Sequence, residues 1–280
     1  MQVMGTKGSF GWYLNRLFNG IGRWRFCHVC PVKTLLFNLR SFDLNTALKF
    51  PVYIYNNTEI FWLGKVVIDA ERIERGMVRI GHWATRGRNP TKICRRGMTV
   101  FHGNVTIQGG TILEGGGTLE FGDSVLISCG CLLTCERHMV FGDHVRVGYN
   151  TMFMDTDYHY VIDTETRKVH PTSADVVIGA GSWVASYCRV MKGAHLPKNS
   201  VVAGGSLLNK DFSAEAPCQI YVGTPAKPVK GNRRRVHNMK LQDELDKFFR
   251  EHPEATSHVV SGDGDLDEIC FSNFWGSYDR

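Results

Sequence analysis

The sequence predicts a parallel β-helix, on three observations. An apolar residue returns every six positions, a small or β-branched residue precedes it by two, and Gly, Asp and Asn crowd the places between. From Phe101 the apolar residue returns at Ile107, Leu113, Phe121, Ile127, Leu133, Phe141, Val147 and Phe153. The step lengthens to eight at every third return, so Phe101, Phe121 and Phe141 stand twenty apart and open similar strings, F-H-G-N-V, F-G-D-S-V and F-G-D-H-V. After a break the step is six throughout, at Ile178, Val184, Val190, Leu196, Val202 and Leu208. The smaller partners are Thr99, Val105, Thr111, Val125, Cys131, Val145, Thr151, Ser182, Cys188, Ala194, Ser200 and Ser206. Residues two apart on a strand share a face, so each unit sends one large and one small side chain inward. Three units then close a triangular coil of about eighteen residues, and stacked coils share one core. A helix would need a period of about 3.6, and a sandwich would not keep one register for so long.

The other elements follow in chain order. Residues 1–51 read as a helical or irregular cap, with Trp12, Leu14, Leu17, Phe18, Ile21, Trp24 and Phe26 set among Arg16, Arg23 and Arg25. That pattern suits short helices closing the stack, or a basic amphipathic contact with a membrane surface. The β-helix is expected over 52–210, with Val52 to Tyr55, Val66 to Ile68 and Ile80-Gly81 as irregular first coils and a loop over 154–177. A closing segment spans 211–235. Residues 236–280 carry helical apolar spacing at Leu241, Leu245, Phe248 and Phe249, then an acidic end that suits either a flexible tail or a partner contact.

With 280 residues, 43% of them apolar, 21% charged and 30 glycines, the chain is globular, which excludes wholesale disorder and collagen. No apolar run reaches the roughly 18 residues of a membrane span and the start lacks a leader-like apolar stretch, so a cytoplasmic protein, peripheral to the membrane at most, is expected. The net charge of +6 divides into +12 for residues 1–235 and −6 for 236–280, and six basic residues precede the first acid, Asp43. A basic body favours polyanions: a phosphorylated cofactor, a nucleic acid or an anionic membrane. Nine cysteines, an odd number, suit reduced thiols. Cys27 and Cys30 form one C-x-x-C and Cys129, Cys131 and Cys135 cluster, yet no second half of a zinc site exists, so no metal is expected.

The break carries the chemistry. Asp157 and His159 stand where the register would bury a small and an aliphatic residue. Burying that pair is costly, so the loop must face a cleft or a neighbouring subunit. Locally extended, Asp155, Asp157 and His159 would share a face, letting a carboxylate orient the imidazole. An Asp-rich turn with an incidental histidine is the plainer reading. His170, in the same loop, is the second candidate base.

The hexapeptide units, the loop D-T-D-Y-H, the strip V-V-A-G-G-S-L-L-N-K-D and the closing Y-V-G-T-P-A-K together resemble the hexapeptide-repeat acyltransferases of the sugar O-acetyltransferase type. Residues 33–52 resemble the lead-in of members linked to surface-polysaccharide synthesis. The resemblance covers roughly 33–230. It implies a left-handed β-helix, a homotrimer with sites between subunits, acetyl-CoA as acyl donor and a sugar or glycan acceptor. By position it implies His159 as catalytic base, Asp157 as its orienting carboxylate, and Ser186, Gly204, Asn209, Lys210, Lys227 and Lys230 as cofactor-binding residues. Ala185 and Asn209 depart from the family, which often has Gly and Thr there.

The chemistry of these residues agrees with that implication. Ammonium groups at Lys227 and Lys230, with Arg233 to Arg235, would neutralise the phosphates of coenzyme A. An imidazole of ordinary pKa near 6.5 suits taking the proton of a weakly nucleophilic hydroxyl. The expected partners are therefore a second and third copy, a glycan and a nucleotide cofactor, and no nucleic acid. N-acetylation of an amino sugar and a non-catalytic trimeric scaffold are the alternatives. A D-x-D metal glycosyltransferase would need alternating strands and helices. A metal hydratase would need histidines in one register, which His82, His102, His138 and His144 are not.

Overall fold

The computed structural model describes residues 28–82, 89–260 and 265–271. The aromatic run from Trp12 to Phe26 and Cys27 lie outside the described residues. Helices α1 (Pro31–Ser41) and α2 (Leu44–Ala47) lead into strands that form three sheets, each taking every third strand. The first holds β1 (Val52–Ile54), β4 (Val78–His82), β7 (Val105–Gln108), β10 (Val125–Ile127), β13 (Arg146–Val147), β16 (Trp183–Val184) and β19 (Val201–Val202). The second holds β2 (Thr58–Leu63), β5 (Thr91–Arg95), β8 (Ile112–Gly115), β11 (Leu132–Thr134), β14 (Met152–Met154), β17 (Arg189–Met191) and β20 (Leu207–Leu208). The third holds β3 (Val66–Ile68), β6 (Thr99–Phe101), β9 (Thr118–Phe121), β12 (His138–Phe141), β15 (Val176–Ile178) and β18 (His195–Leu196). All these neighbours pair parallel, one strand of each sheet to a coil. The result is a three-sided parallel β-helix, consistent with the left-handed form the resemblance implies. It begins at Val52, and the early β-rich runs pair in parallel with the coils that follow, irregular as expected, with register shifts between Ile60 and Trp62 and between Ile80 and His82.

The apolar period becomes three ladders. Ile80, Ile107, Ile127, Val147, Val184 and Val202 align in the first sheet. Ile93, Leu113, Leu133, Phe153, Val190 and Leu208 align in the second. Phe101, Phe121, Phe141, Ile178 and Leu196 align in the third. The twenty-residue spacing of the phenylalanines stacks their rings 5.5 and 5.3 Å apart, nearly parallel. All twelve smaller partners are buried too. Many serve a polar purpose at the corner between the first and second sheets, where each donates to a carbonyl of the coil that follows. Thr111 Oγ1 donates to Ser128 O (3.2 Å), Cys131 Sγ to Gly148 O (3.3 Å), Thr151 Oγ1 to Ala185 O (3.0 Å) and Cys188 Sγ to Ala203 O (3.2 Å). These bonds satisfy carbonyls that the turning backbone leaves without strand partners.

The eight-residue steps fall at the corner between the second and third sheets. Arg95 fills it, 1% exposed, its guanidinium donating to the carbonyls of Met98, Glu114, Gly117 and Cys135. One side chain thus ties three successive coils, and burial holds its pKa below the ordinary value. The break at 154–177 leaves from the same corner, one coil further along.

Two ends complete the molecule. Helix α1 turns polar residues toward the coil: Asn38 both accepts from Val52 N and donates to Val52 O, and Thr34 does the same for Ile54. Strand β21 (Ile220–Gly223) adds to β19, and β22 (Ala226–Lys230) folds back antiparallel on it. Helix α3 (Met239–Glu251) forms where the spacing predicts, capped by Asn238, with none of its residues buried. Helix α4 (Leu266–Cys270) returns to the coil, where Phe271 stacks between His144 (4.7 Å) and His237 (5.0 Å). Helix α4 and Phe271 are therefore docked on the rest of the chain.

Candidate active site

The loop after β14 starts from a buried carboxylate. Asp155, wholly buried, accepts from Glu136 N and Arg137 N, both at 2.8 Å. It caps the preceding corner and does not join Asp157 and His159 on one face. Tyr158, at positive φ, turns the chain, so the segment is not extended. Asp157 through Pro171 are exposed, in the sense the register predicts for a loop outside the tube. Bridges between Thr156 and Ser173 and between Ile162 and Val169 make it an open hairpin.

The Asp157 carboxylate pairs with Lys192 Nζ at 2.6 Å, and the same ammonium donates to Pro171 O at 3.0 Å. Gly193 N donates to Asp175 O at 3.1 Å. The next coil therefore seals the hairpin at both strands. His159 N donates to Asp157 O at 2.7 Å, so the histidine's main chain hangs from the residue that Lys192 holds. Its imidazole is exposed, and His170 is exposed on the returning strand. Burial, then the carboxylates of Glu114, Glu136 and Asp155, push the Tyr158 phenol above its ordinary pKa.

The residues that resemblance assigns to the cofactor divide among three places. Ser186 and Gly204 lie one above the other at the corner between the first and second sheets, where Gly205 N donates to Ser186 O at 3.1 Å. Thr224 Oγ1 donates to Gly205 O (3.4 Å) and Gly223 N to Ser206 Oγ (3.1 Å), which brings the β21–β22 turn and exposed Lys227 to this corner. The corner is open: a Cβ at Gly205, whose φ is +75°, would meet nothing within 4 Å. Asn209 and Lys210 are exposed past the far end of β20, and Lys230 is exposed at the far end of β22, opposite Ile220. Ala185 continues the corner, its N–H donating to Val202 O and its carbonyl accepting from Thr151.

Of the three arginines after Gly231, two serve the fold. Arg234 pairs with Asp267 and lies over the Phe271 ring at 4.8 Å, and Arg235 lies over Trp183 at 5.2 Å. Arg233 stays exposed. The sequence reading missed Lys192, whose signal was its place at the same corner as the loop, and Arg95, whose signal was the pair of extra residues. Cys131 and Cys135 are buried thiols, pushed up to about 12 by burial, with Cys135 donating to Thr118 O. They are uncharged at neutral pH.

No family model and no curated protein matches the chain. Among solved structures, the chain is similar to the polySia specific acetyltransferase NeuO, at 19% identity over 71% of this chain and 100% of that one, with a TM-score of 0.43. It is also similar to a mutant of AntD, an N-acyltransferase from Bacillus cereus in complex with dTDP and coenzyme A, at 16% identity over 66% and 91%, with a TM-score of 0.43. A hexapeptide-repeat containing acetyltransferase from Vibrio cholerae O1 biovar eltor, complexed with acetyl coenzyme A, aligns at 15% identity over 80% and 90%, with a TM-score of 0.35. At these distances the parallel β-helix rests on the strand register and not on the likenesses.

Proposed function

We propose that the chain is an acyltransferase that moves an acetyl group from acetyl-CoA to a hydroxyl of a sugar or glycan precursor, with His159 as general base. The observation that carries this reading is the hairpin raised from the corner between the second and third sheets, which leaves the His159 imidazole exposed outside an otherwise closed coil. His159 removes the hydroxyl proton as the oxygen attacks the thioester carbonyl, and the resulting imidazolium returns a proton to the departing thiolate. Asp157 acts as a positioning residue through the main chain, since Lys192 occupies its carboxylate. Ser186 and Gly204 form the wall along which the pantetheine arm lies. Asn209, Lys210, Lys227 and Lys230 flank it at the ends of β20 and β22, and the ammonium groups among them suit the phosphates.

A homotrimer completes the site. Its support is the outward side of the second sheet, where Ile112, Leu132, Met152 and Leu207 fall in one register ladder with Arg189, an apolar stripe suited to a second copy. Cytoplasmic residence is part of the same reading.

Titration of the purified chain with acetyl-CoA in a calorimeter tests the donor without knowledge of the acceptor. Saturable binding near one per chain, weakened by Lys227→Ala with Lys230→Ala, is the expected result. Absence of binding by the folded chain would sink the donor assignment and leave the scaffold reading.

A further inference from the structure

The first coil and its helix present an apolar face that nothing among the described residues covers. Helix α1 turns Thr34 and Asn38 inward to bond the edge of β1, and this sends its leucines outward. Val32 is 65% exposed and Leu36 62%, with Leu35 and Leu39 also exposed. On β2 beside it, Phe61 is 56% and Trp62 53% exposed. A groove of about 580 Å³ runs between helix and strand, lined by Leu36, Phe61 and Trp62 together with Lys33, Arg40 and Arg96. No acid lines it, although Glu59 lies on the same strand. Arg96 stacks over the Trp62 ring at 4.6 Å, and Arg40 donates to Leu63 O at 3.1 Å.

Contiguous exposed apolar surface of this kind on a soluble fold marks an interaction site. Its chemistry selects the occupant. Aliphatic side chains on one helical face, a tryptophan and phenylalanine beside them and guanidinium groups at the margin are the pattern of a surface lying in the interface of an anionic bilayer. The rings and leucines enter the acyl boundary, and Arg40 and Arg96 meet phosphate headgroups. No helix among the described residues is long and apolar enough to cross a membrane, so the contact lies on the surface. We infer that the N-terminal end of the β-helix, through the outer face of α1 and Phe61–Trp62 of β2, docks on membranes carrying anionic phospholipid.

The test is co-sedimentation of the full chain with vesicles of phosphatidylcholine alone and of phosphatidylcholine with phosphatidylglycerol. Binding to the anionic vesicles only, falling as salt rises, is expected. Phe61→Ser with Trp62→Ser should weaken it about tenfold, and so should Leu36→Gln with Leu39→Gln as an independent pair on the helix. Arg40→Gln with Arg96→Gln should weaken it and flatten its salt dependence. Melting temperature reports whether each variant is folded. Vesicle binding that survives both apolar pairs in folded protein overturns the proposal, since the contact then lies elsewhere in the chain. So does a failure to bind either vesicle. A fall in molar mass on light scattering with the Trp62 variant would assign the face to a second copy instead.

Discussion

Lys192 Nζ stands 2.6 Å from the Asp157 carboxylate and 3.0 Å from the Pro171 carbonyl, so a single ammonium on one coil fastens both strands of the hairpin raised from the coil before it. The lysine is 29% and the aspartate 44% exposed, which makes the pair a weak contributor to global stability, on the order of 0–1 kcal/mol. Its importance is local. Lys192→Met should leave the melting temperature nearly unchanged while residues 157–171 become faster to cleave in limited proteolysis. An unchanged cleavage rate would show that the Thr156–Ser173 bridge holds the hairpin unaided.

The proposed base gives the sharpest kinetic expectation. His159→Ala should fold, bind acetyl-CoA as before and lose transfer to a cognate acceptor by about 10²–10⁴-fold. His170→Ala serves as the control on the same loop. Loss with His170→Ala and retention with His159→Ala would exchange their roles.

Arg95 and Asp155 are both buried at one corner and interact electrostatically. Arg95→Met keeps the volume but removes the guanidinium bonds to four coil carbonyls, of which those of Met98, Glu114 and Cys135 keep a main-chain donor. A loss of about 1–3 kcal/mol in denaturant unfolding is expected. A loss below about 1 kcal/mol would mean that water replaces the guanidinium.

The C-terminal clasp should respond to acid. His237 is buried against Arg235, Arg146 and His144, and burial first, then those cations, lower its pKa from 6.5 to about 3. His144 is lowered too, chiefly by burial. Between these values the undocked segment binds a proton that the docked one refuses, so docking weakens as pH falls through that window. From about pH 6.5 to about pH 5 the loss is about 2 kcal/mol for His237 alone. Amide exchange over residues 265–271, corrected for its intrinsic pH dependence, should lose protection there. Protection that held in wild type, or fell just as far in His237→Phe, would discount the histidine.

The tube was legible because burial repeats with the coil: Ile107, Ile127 and Val147 announce their ladder whatever surrounds them. The eight-residue corner was visible as arithmetic but not as structure, since its cause, Arg95, reaches carbonyls up to forty positions away. Asp155 misled for the same reason, its partners lying at Glu136 and Arg137. Helix α1 shows a different limit. Nothing in its sequence marks the inward side, and only the edge of β1 explains why Thr34 and Asn38 took it. The residues assigned to coenzyme A came from motif likeness, and position along the coil alone carries no information about which corner a ligand prefers.

A stack of parallel strands has no intrinsic reason to stop, and each exposed terminal strand could template another molecule end to end. Thr34 and Asn38 occupy the bonding groups of β1 at one end, and β22, lying antiparallel on β21, reverses strand polarity at the other. The first sheet is thereby blocked against fibre growth in both directions. Mutating Asn38 would therefore threaten colloidal behaviour before it threatened catalysis.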